Sequence, residues 1–429
     1  MDRARLRCEN SQYLDILALS RFAGRALQHL KLRAYLLSET IEKRPDYIVF
    51  STDLMILDGD FKSTLGIVRS IGRQGICMVV GSRHRLGRAG FSKNVQHRFV
   101  YRLQNDSIET AHKDILAAVK HYRPRVLMPV YDTTWFVIYR YYRVYQNLTT
   151  IVANPGEKLF KDLLDKGRLF AVAKKHGVKM PATFLPQTFK DARSLRNSLP
   201  YPVILKPQSG SGGEGMTIAE NAGEFESALQ FFKEIFVVQE KIEGEDLELT
   251  ILCDHGKAIA GSAYVSLRNA PLPFGPPVAC RTITDDNLMQ IGVRFLEGLG
   301  YHGVAHLDFR RDQRDSNPLL LDFNARLAGT NDTSLHSGID FASMLFRMAI
   351  KQHVSPCFHY QIGREFRMLF PGELRHLAQT HHKLRTIREL LKLRGVTTEL
   401  SFKDPLPHLA LLLEALVRTG TRKKRTTDG

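Results

Sequence analysis

The chain has 429 residues, 43% of them hydrophobic and 24% charged, and a formal net charge of +17. At roughly 150 residues per domain this predicts two or three globular domains, and it excludes a wholly disordered, collagen-like or coiled-coil chain. No apolar run reaches the roughly 18–20 residues of a membrane span, and the basic excess suits phosphate-rich ligands, anionic membrane surfaces or nucleic acid without choosing among them.

Residues 1–45 carry scattered charge and short apolar stretches and read as an N-terminal extension without a secretory signal. The five cysteines, Cys8, Cys77, Cys253, Cys280 and Cys357, are widely spaced and never form a CxxC pair. They predict buried small side chains in a reducing cytoplasm, not a disulfide framework or a zinc site. From residue 46 to about 150, short apolar runs alternate with helical spacing. Tyr47–Phe50 reads as a strand entering a Ser-Thr-Asp loop, Leu65 to Ile71 as a helix and Ile76–Gly81 as a strand. A third strand is expected at Arg98–Tyr101, a helix over Thr110–Tyr122 and a further strand at Arg125–Val130. Strands alternating with helices imply a small doubly wound parallel α/β domain. It lacks a GxGxxG loop after its first strand, which counts against a dinucleotide site there.

Further on, Lys158–His176 reads as one helix with Gly177 as its left-handed end. Strands are expected at Pro202–Pro207, Phe236–Glu240 and Leu247–Cys253, with a hairpin across Asp254-His255-Gly256. Leu288–Leu299 reads as a helix, and Gly303–Phe309 and Leu319–Asn324 as an antiparallel pair. Residues 356–429 hold fourteen Lys and Arg against seven Asp and Glu, with a helix expected over Leu374–Leu393 and a basic tail Arg422-Lys423-Lys424-Arg425.

Two constellations carry chemistry on their own residues. Ser209-Gly210-Ser211-Gly212-Gly213 follows a strand that ends in Lys206. A run of small residues offers backbone N–H groups and conformational freedom to phosphate oxygens, and the strand-borne ammonium can join them. The P-loop pattern is absent. Asp322 and Asn324 stand two apart on one strand and so share a face, and Asp308 on the preceding strand can point to it. Two carboxylates and an amide carbonyl are a hard-oxygen set suited to Mg²⁺ beside phosphate groups, with Mn²⁺ as the alternative ion.

In this order the elements resemble the ATP-grasp superfamily, most closely its carbamoyl-phosphate-synthase-like branch of carboxylate–amine ligases. Ser266-Leu267-Arg268, Gly275-Pro276-Pro277, Gly303-Val304-Ala305-His306 and Asn324-Ala325-Arg326-Leu327 carry the likeness to that branch. The resemblance implies an α/β plus α+β chain. A pre-ATP-grasp domain would span 46–150, an ATP-grasp domain 151–355 with a lid subdomain at about 180–240, and a basic helical region with a flexible tail 356–429. It implies that Lys166 and Lys206 are the two nucleotide lysines and that residues 209–215 close over the phosphates. It also implies that Gln239, Glu240, Lys241 and Ile242 face the adenine, that Asp246 holds the ribose, and that Asp308, Asp322 and Asn324 bind the metal. Arg326 would meet the transferred phosphoryl group. Asp322 and Asp246 each stand where Glu is commoner.

The function implied is an ADP-forming carboxylate–amine ligase that uses ATP and Mg²⁺, forms an acyl phosphate and takes small-molecule carboxylate and amine substrates. Arg268, Arg281 and Asp132 are candidates on the substrate side, with a structural ion pair as the rival reading for the arginines. The alternatives are an ATP-binding module without catalysis and a peripheral membrane protein using the basic C-terminal region. No nucleic-acid-binding pattern is present, so no nucleic-acid partner is expected, and an oligomer is compatible with the sequence.

Overall fold

Leu54, Met55 and Ile56 are fully buried in β1 (Thr52–Ile56), at the centre of a five-stranded parallel sheet. Beside it lie β2 (Met78–Ser82), β3 (His97–Val100), β4 (Pro124–Met128) and β5 (Thr150–Ile151), in the order β3-β2-β1-β4-β5. Side chains alternate between the two faces of a strand, and both faces here are covered. Leu54 and Ile56 pack with Leu65, Val68 and Ile71 of the helix Thr64–Gly72, whereas Met55 and Leu57 pack with Ile115 and Val119 of the helix Ile108–Tyr122. This is the expected doubly wound arrangement.

The computed structural model describes residues 52–103, 107–210, 212–392 and 394–427. The expected N-terminal extension and the strand expected at Tyr47–Phe50 lie outside them. Thr52 and Asp53, read as loop, belong to β1 instead, where Asp53 Oδ2 accepts from Cys77 N at 3.0 Å.

A second sheet is antiparallel and small, in the order β6-β9-β7-β8, from β6 (Thr183–Phe184), β7 (Val203–Pro207), β8 (Thr217–Ala219) and β9 (Phe236–Glu240). It has its own core, built on Val203, Leu205, Phe225, Phe236 and Val238. The third sheet has seven strands in the order β14-β13-β10-β11-β12-β15-β16. Its members are β10 (Gly244–Asp254), β11 (Lys257–Asn269), β12 (Pro277–Ile283), β13 (Gly303–Asp312), β14 (Pro318–Asn324), β15 (Glu365–Arg367) and β16 (Val396–Thr398). Sequence reading missed β12, β15 and β16. The hairpin between β10 and β11 turns at His255 and Gly256, both with positive φ, as expected.

Two expected helices are broken. The first stops at Leu164 and restarts at Lys166, because Asp165 is extended and its carboxylate accepts from Arg168 N at 2.9 Å, the bond of an N-cap. Gly177 ends the second piece with φ +70°. The other splits into Leu374–Gln379 and Lys383–Leu390 around an extended Thr380. The last helix, Leu406–Thr427, is anchored just before its start. Asp404 accepts from Arg69 Nε at 2.9 Å, Ser92 Oγ at 2.8 Å and Lys93 N at 2.9 Å, which ties the C-terminal region to the first sheet.

Candidate active site

The break at Asp165 aims Lys166. Its backbone N–H donates to Gln208 O at 3.0 Å, and its Nζ lies 3.0 Å from Gly210 O and 3.8 Å from Asp322 Oδ2. Lys166 therefore links the glycine-rich loop to the acidic face of the third sheet. Gly212 and Gly213 both have positive φ. A Cβ on Gly213 would meet Phe274 O at 2.2 Å, so glycine alone lets the loop lie on the β11–β12 connection. Ser211 lies outside the described residues. Ser209 is exposed on the same loop.

Lys206 is buried at the end of β7 and donates to Gln239 Oε1 at 2.6 Å, while Gln239 Nε2 donates to Thr183 Oγ1 at 3.0 Å. Burial pushes the Lys206 ammonium down to about 8, against the opposing pull of Asp322. The segment Gln239–Ile242 connects the second sheet to the third. Glu240 N donates to Ala182 O and Lys241 N to Pro202 O, each at 2.9 Å. Glu240 also pairs with Arg314 at 2.7 Å, Lys241 pairs with Glu243, and the carbonyl of buried Ile242 accepts from Arg310 at 2.9 Å. Asp246 faces Arg310 across the ladder and accepts from its Nε at 2.7 Å.

On the third sheet Asp308 stands opposite Asp322, and His306 opposite Asn324. This register puts the four side chains on one face, as the alternation predicted for the acids and the amide. Asn324 Nδ2 donates to Asp308 Oδ2 at 3.1 Å and its Oδ1 accepts from Arg326 at 2.9 Å. Two carboxylates and an amide at neighbouring register positions fit Mg²⁺ in donor type. Burial pushes the Asp308 carboxyl up, but the His306 imidazole, Arg326 and Asn324 reverse this and hold it below its ordinary value. Asp322 is raised, by burial first, with Lys166 opposing.

Arg326 is buried and closes the site against the first sheet. Its Nε donates to Asp132 Oδ2 at 2.9 Å, and its guanidinium lies 5.4 Å from the Phe61 ring centre and 5.2 Å from that of Tyr131. Asp132 and Tyr131 follow β4, on the side where the parallel order switches direction and ligands commonly bind. Asp58, buried after β1, fixes that loop by accepting from Val130 N at 3.1 Å and Tyr131 N at 2.9 Å.

The remaining two candidates stand apart from this group. Arg268 donates to both carboxylate oxygens of buried Glu373, at 2.8 Å for Nε and 2.7 Å for the terminal nitrogen, and to Glu389 at 2.8 Å. Its fork is filled by protein carboxylates, the ion-pair alternative. Arg281 is on the solvent side of β12, 3.8 Å from Glu365. Its neighbour Cys280 faces inward toward Glu248, and strand alternation sends Arg281 the other way.

Sequence reading gave no site role to two residues that the sheet brings to this acidic face, nor to a third that reaches it from beyond β1. Glu248 pairs in register with Asp308, and His306 Nε2 lies 3.0 Å from Asp308 Oδ1 and 3.4 Å from Glu248 Oε2. Thr330 donates to Glu248 Oε2 at 2.8 Å, and burial pushes the Glu248 carboxyl up to about 7. Ligand-type atoms of Glu248, His306 and Asp308 lie within 4.8 Å of one another. The third is Lys62, whose Nζ reaches Pro277 O at 3.3 Å and which can pass Gly329 because a Cβ there would stand 2.2 Å from its Cε. Burial lowers the Lys62 ammonium. Polar residues at alternate positions, Glu248 and Thr250 on one strand and His306 and Asp308 on another, were the available signal.

A small antiparallel sheet joined to a larger one, with two lysines and a carboxylate–amide set where they meet, has counterparts among known proteins. Residues 163–330 match the ATP-grasp domain family. The chain carries an ATP-grasp domain, preceded by a doubly wound sheet and followed by a helical C-terminal region. It is 27% identical over 186 residues to the propionyl-CoA carboxylase alpha chain of Ruegeria pomeroyi, covering 38% of this chain and 26% of that one. It is also 27% identical over 133 residues to the alpha-aminoadipate–LysW ligase LysX of Sulfurisphaera tokodaii, covering 29% and 46%. Less than half the length of each of these relatives is therefore matched. In fold it is similar to the biotin carboxylase domain of Hydrogenobacter thermophilus 2-oxoglutarate carboxylase, solved with MgADP, ADP and bicarbonate. The TM-score is 0.61 at 17% identity, covering 74% of each chain.

Proposed function

We propose that the protein is an ADP-forming carboxylate–amine ligase that works through an acyl phosphate. The observation that carries this reading is the convergence of Lys166, Asp308, Asp322, Asn324 and Arg326 beneath the glycine-rich loop, with Lys166 touching both the loop and Asp322. The ATP-grasp match supports ATP as cosubstrate, and the MgADP-bound structural relative supports Mg²⁺. Relatives named as a carboxylase and as a ligase support the reaction type.

In the first step a substrate carboxylate oxygen attacks the γ-phosphorus, the bond from that phosphorus to the bridging oxygen breaks, and ADP leaves with the electron pair. In the second, an amine nitrogen attacks the acyl carbon, the C–O bond to phosphate breaks, and the nitrogen loses a proton as the amide forms. Such chemistry needs alignment and charge compensation more than a protein nucleophile. Lys166 and Lys206 hold the nucleotide phosphates, and the glycine-rich loop covers them with backbone N–H groups. Arg326, held by Asp132 and Asn324, faces the transferred group. Asp308, Asp322 and Asn324 would hold Mg²⁺, which would supply charge neutralisation at the phosphates. Mn²⁺ shares that donor preference.

The test is ADP release measured over a panel of acids and amines. The expected result is turnover that needs both partners and falls at least about a hundredfold in Asp322→Ala, on the scale of losing one transition-state contact. Undiminished turnover in that variant would overturn the metal assignment. Magnesium-dependent thermal stabilisation by ATP, with no ADP release from any pair, would overturn the ligase reading in favour of an ATP-binding module.

A further inference from the structure

The C-terminal region plays no part in the proposed site, yet it carries most of the exposed large hydrophobic side chains among the described residues. Eighteen large hydrophobic side chains are exposed among the described residues, and eleven of them fall between Leu374 and Val417. Single exposed leucines need no explanation, but a concentration of this kind marks an interaction surface.

Its geometry is that of helices with an outward apolar stripe. On Lys383–Leu390, Leu384 is 85% and Ile387 42% exposed, and Leu391 one residue beyond is 75% exposed. The spacing i, i+3, i+7 places them on one side. On the last helix Pro407 and Ala410 face inward, while Leu406, Leu409 and Leu412 are 38%, 46% and 46% exposed. That helix is apolar on both sides although only one is covered, an arrangement a water-facing helix does not need. Phe402, in the loop leading to it, is fully exposed.

Charge decides the partner. Residues 374–429 contain twelve Lys and Arg against five Asp and Glu. Three of those five acids are engaged by other groups of the protein. Glu389 pairs with Arg268 at 2.8 Å and Arg385 at 3.2 Å, and Glu399 accepts from Leu369 N at 2.9 Å and Phe370 N at 2.8 Å. Asp404 is held by Arg69, Ser92 and Lys93. The fold thus engages these three acids and leaves Lys383, Lys392 and Lys403 exposed beside the leucines and Phe402. Nucleic acid would engage the cations but give aliphatic leucines nothing to stack on. The headgroup–acyl boundary of an anionic bilayer engages both. No helix among the described residues is long and apolar enough to cross a membrane, which limits the contact to the surface.

We propose that the face formed by Phe402, Leu406, Leu409 and Leu412, with the stripe Leu384, Ile387 and Leu391, docks on the surface of a bilayer carrying anionic lipid headgroups. The apolar side chains enter the boundary and the lysines and arginines stay at the headgroups.

The experiment is co-sedimentation of the full chain with phosphatidylglycerol–phosphatidylcholine vesicles and with pure phosphatidylcholine vesicles, at low and high salt. Sedimentation with the anionic vesicles only, weakened by salt, is expected. Phe402→Ser with Leu409→Ser should weaken it about tenfold or more, the scale of withdrawing one to two large apolar side chains from the boundary. Leu384→Ser with Leu391→Ser is the independent second variant. Unchanged thermal stabilisation by ATP and Mg²⁺ in both double variants shows that the fold is intact. No sedimentation with anionic vesicles at millimolar lipid overturns the proposal. So does sedimentation that both double variants leave unchanged, since charge alone would then account for it. Salt-sensitive binding to an RNA oligonucleotide without any vesicle binding would assign the basic face to nucleic acid instead.

Discussion

Asp132 and Arg326 are 194 residues apart in sequence, and their side chains meet at 2.9 Å inside the protein. Asp132 opens the helix after β4, and Arg326 follows β14, so the pair couples the doubly wound sheet to the third sheet at the candidate site. Both side chains are about nine-tenths buried. Removing one partner of a buried pair leaves an uncompensated charge. Asp132→Ala is expected to lower the unfolding free energy by about 3–5 kcal/mol in urea titration. It should also lower turnover more than it weakens ATP binding, because Arg326 loses its positioning contact while Lys166 and Lys206 keep theirs.

Burial holds the Lys206 ammonium down at about 8, and the direction of its effect on stability follows from that. Its folded-state value is about 8 against an ordinary 10.5, so the unfolded chain binds more protons between those values and this group adds stability as pH rises through that window. Nucleotide binding runs the other way, because the phosphates need the ammonium. ATP affinity, measured by calorimetry with Mg²⁺ present, is expected to fall above pH of about 8, by up to about tenfold per pH unit. In Lys206→Gln the affinity should be weaker throughout and this pH dependence should vanish. An unaltered pH profile in that variant would remove Lys206 from the phosphate site.

Much of this site was readable because strand alternation is a local rule. Asp322 and Asn324 are two residues apart, and an antiparallel partner one short turn away brings Asp308 to them. The glycine run after Lys206 was equally local. Glu248, His306 and Lys62 were not, because their place depends on the register of β10 against β13 and on how the first sheet packs. A single acid or histidine in an apolar strand gives no hint of the partner across the ladder. The break at Asp165 was hidden for a related reason. The apolar period runs through it, and the only mark is an N-cap residue that would sit as easily on a helix surface. The split near Thr380 was hidden because the apolar period runs through it as well.

Gly213 joins the glycine-rich loop to the connection between β11 and β12. It has φ +79°, and a Cβ there would stand 2.2 Å from the Phe274 carbonyl oxygen, which is backbone and cannot swing aside. Gly213→Ala is therefore strained twice, by its conformation and by the contact. The cost is expected at about 1–3 kcal/mol, or relief by a displaced loop. A thermal melt without nucleotide measures the first. A weaker ATP-induced stabilisation, by about tenfold in Kd, reports the second. Gly210→Ala, with open space around its Cβ at φ +124°, carries conformational strain without the backbone contact and separates the two causes.

Arg268 and Arg281 lie on adjacent strands of the third sheet, away from the candidate site, and the structure predicts unequal responses to loss of their ion pairs. Arg268 is 7% exposed and bonded to Glu373, itself 1% exposed, and to Glu389. Taking away Glu373 strands a buried guanidinium, so Glu373→Ala is expected to cost about 3–5 kcal/mol. Arg281 is 47% exposed, and its nearest carboxylate oxygen is 3.8 Å away on Glu365. An exposed pair at that distance contributes little, and Arg281→Ala should change stability by less than about 0.5 kcal/mol. Urea titration of the two variants beside the unaltered chain makes the comparison. Equal losses would mean that the C-terminal helices are not held to the third sheet through Arg268. With the expected contrast in stability, substrate kinetics of Arg281→Ala then isolate any part it plays in catalysis, since the fold is left intact and a changed KM could not be ascribed to unfolding.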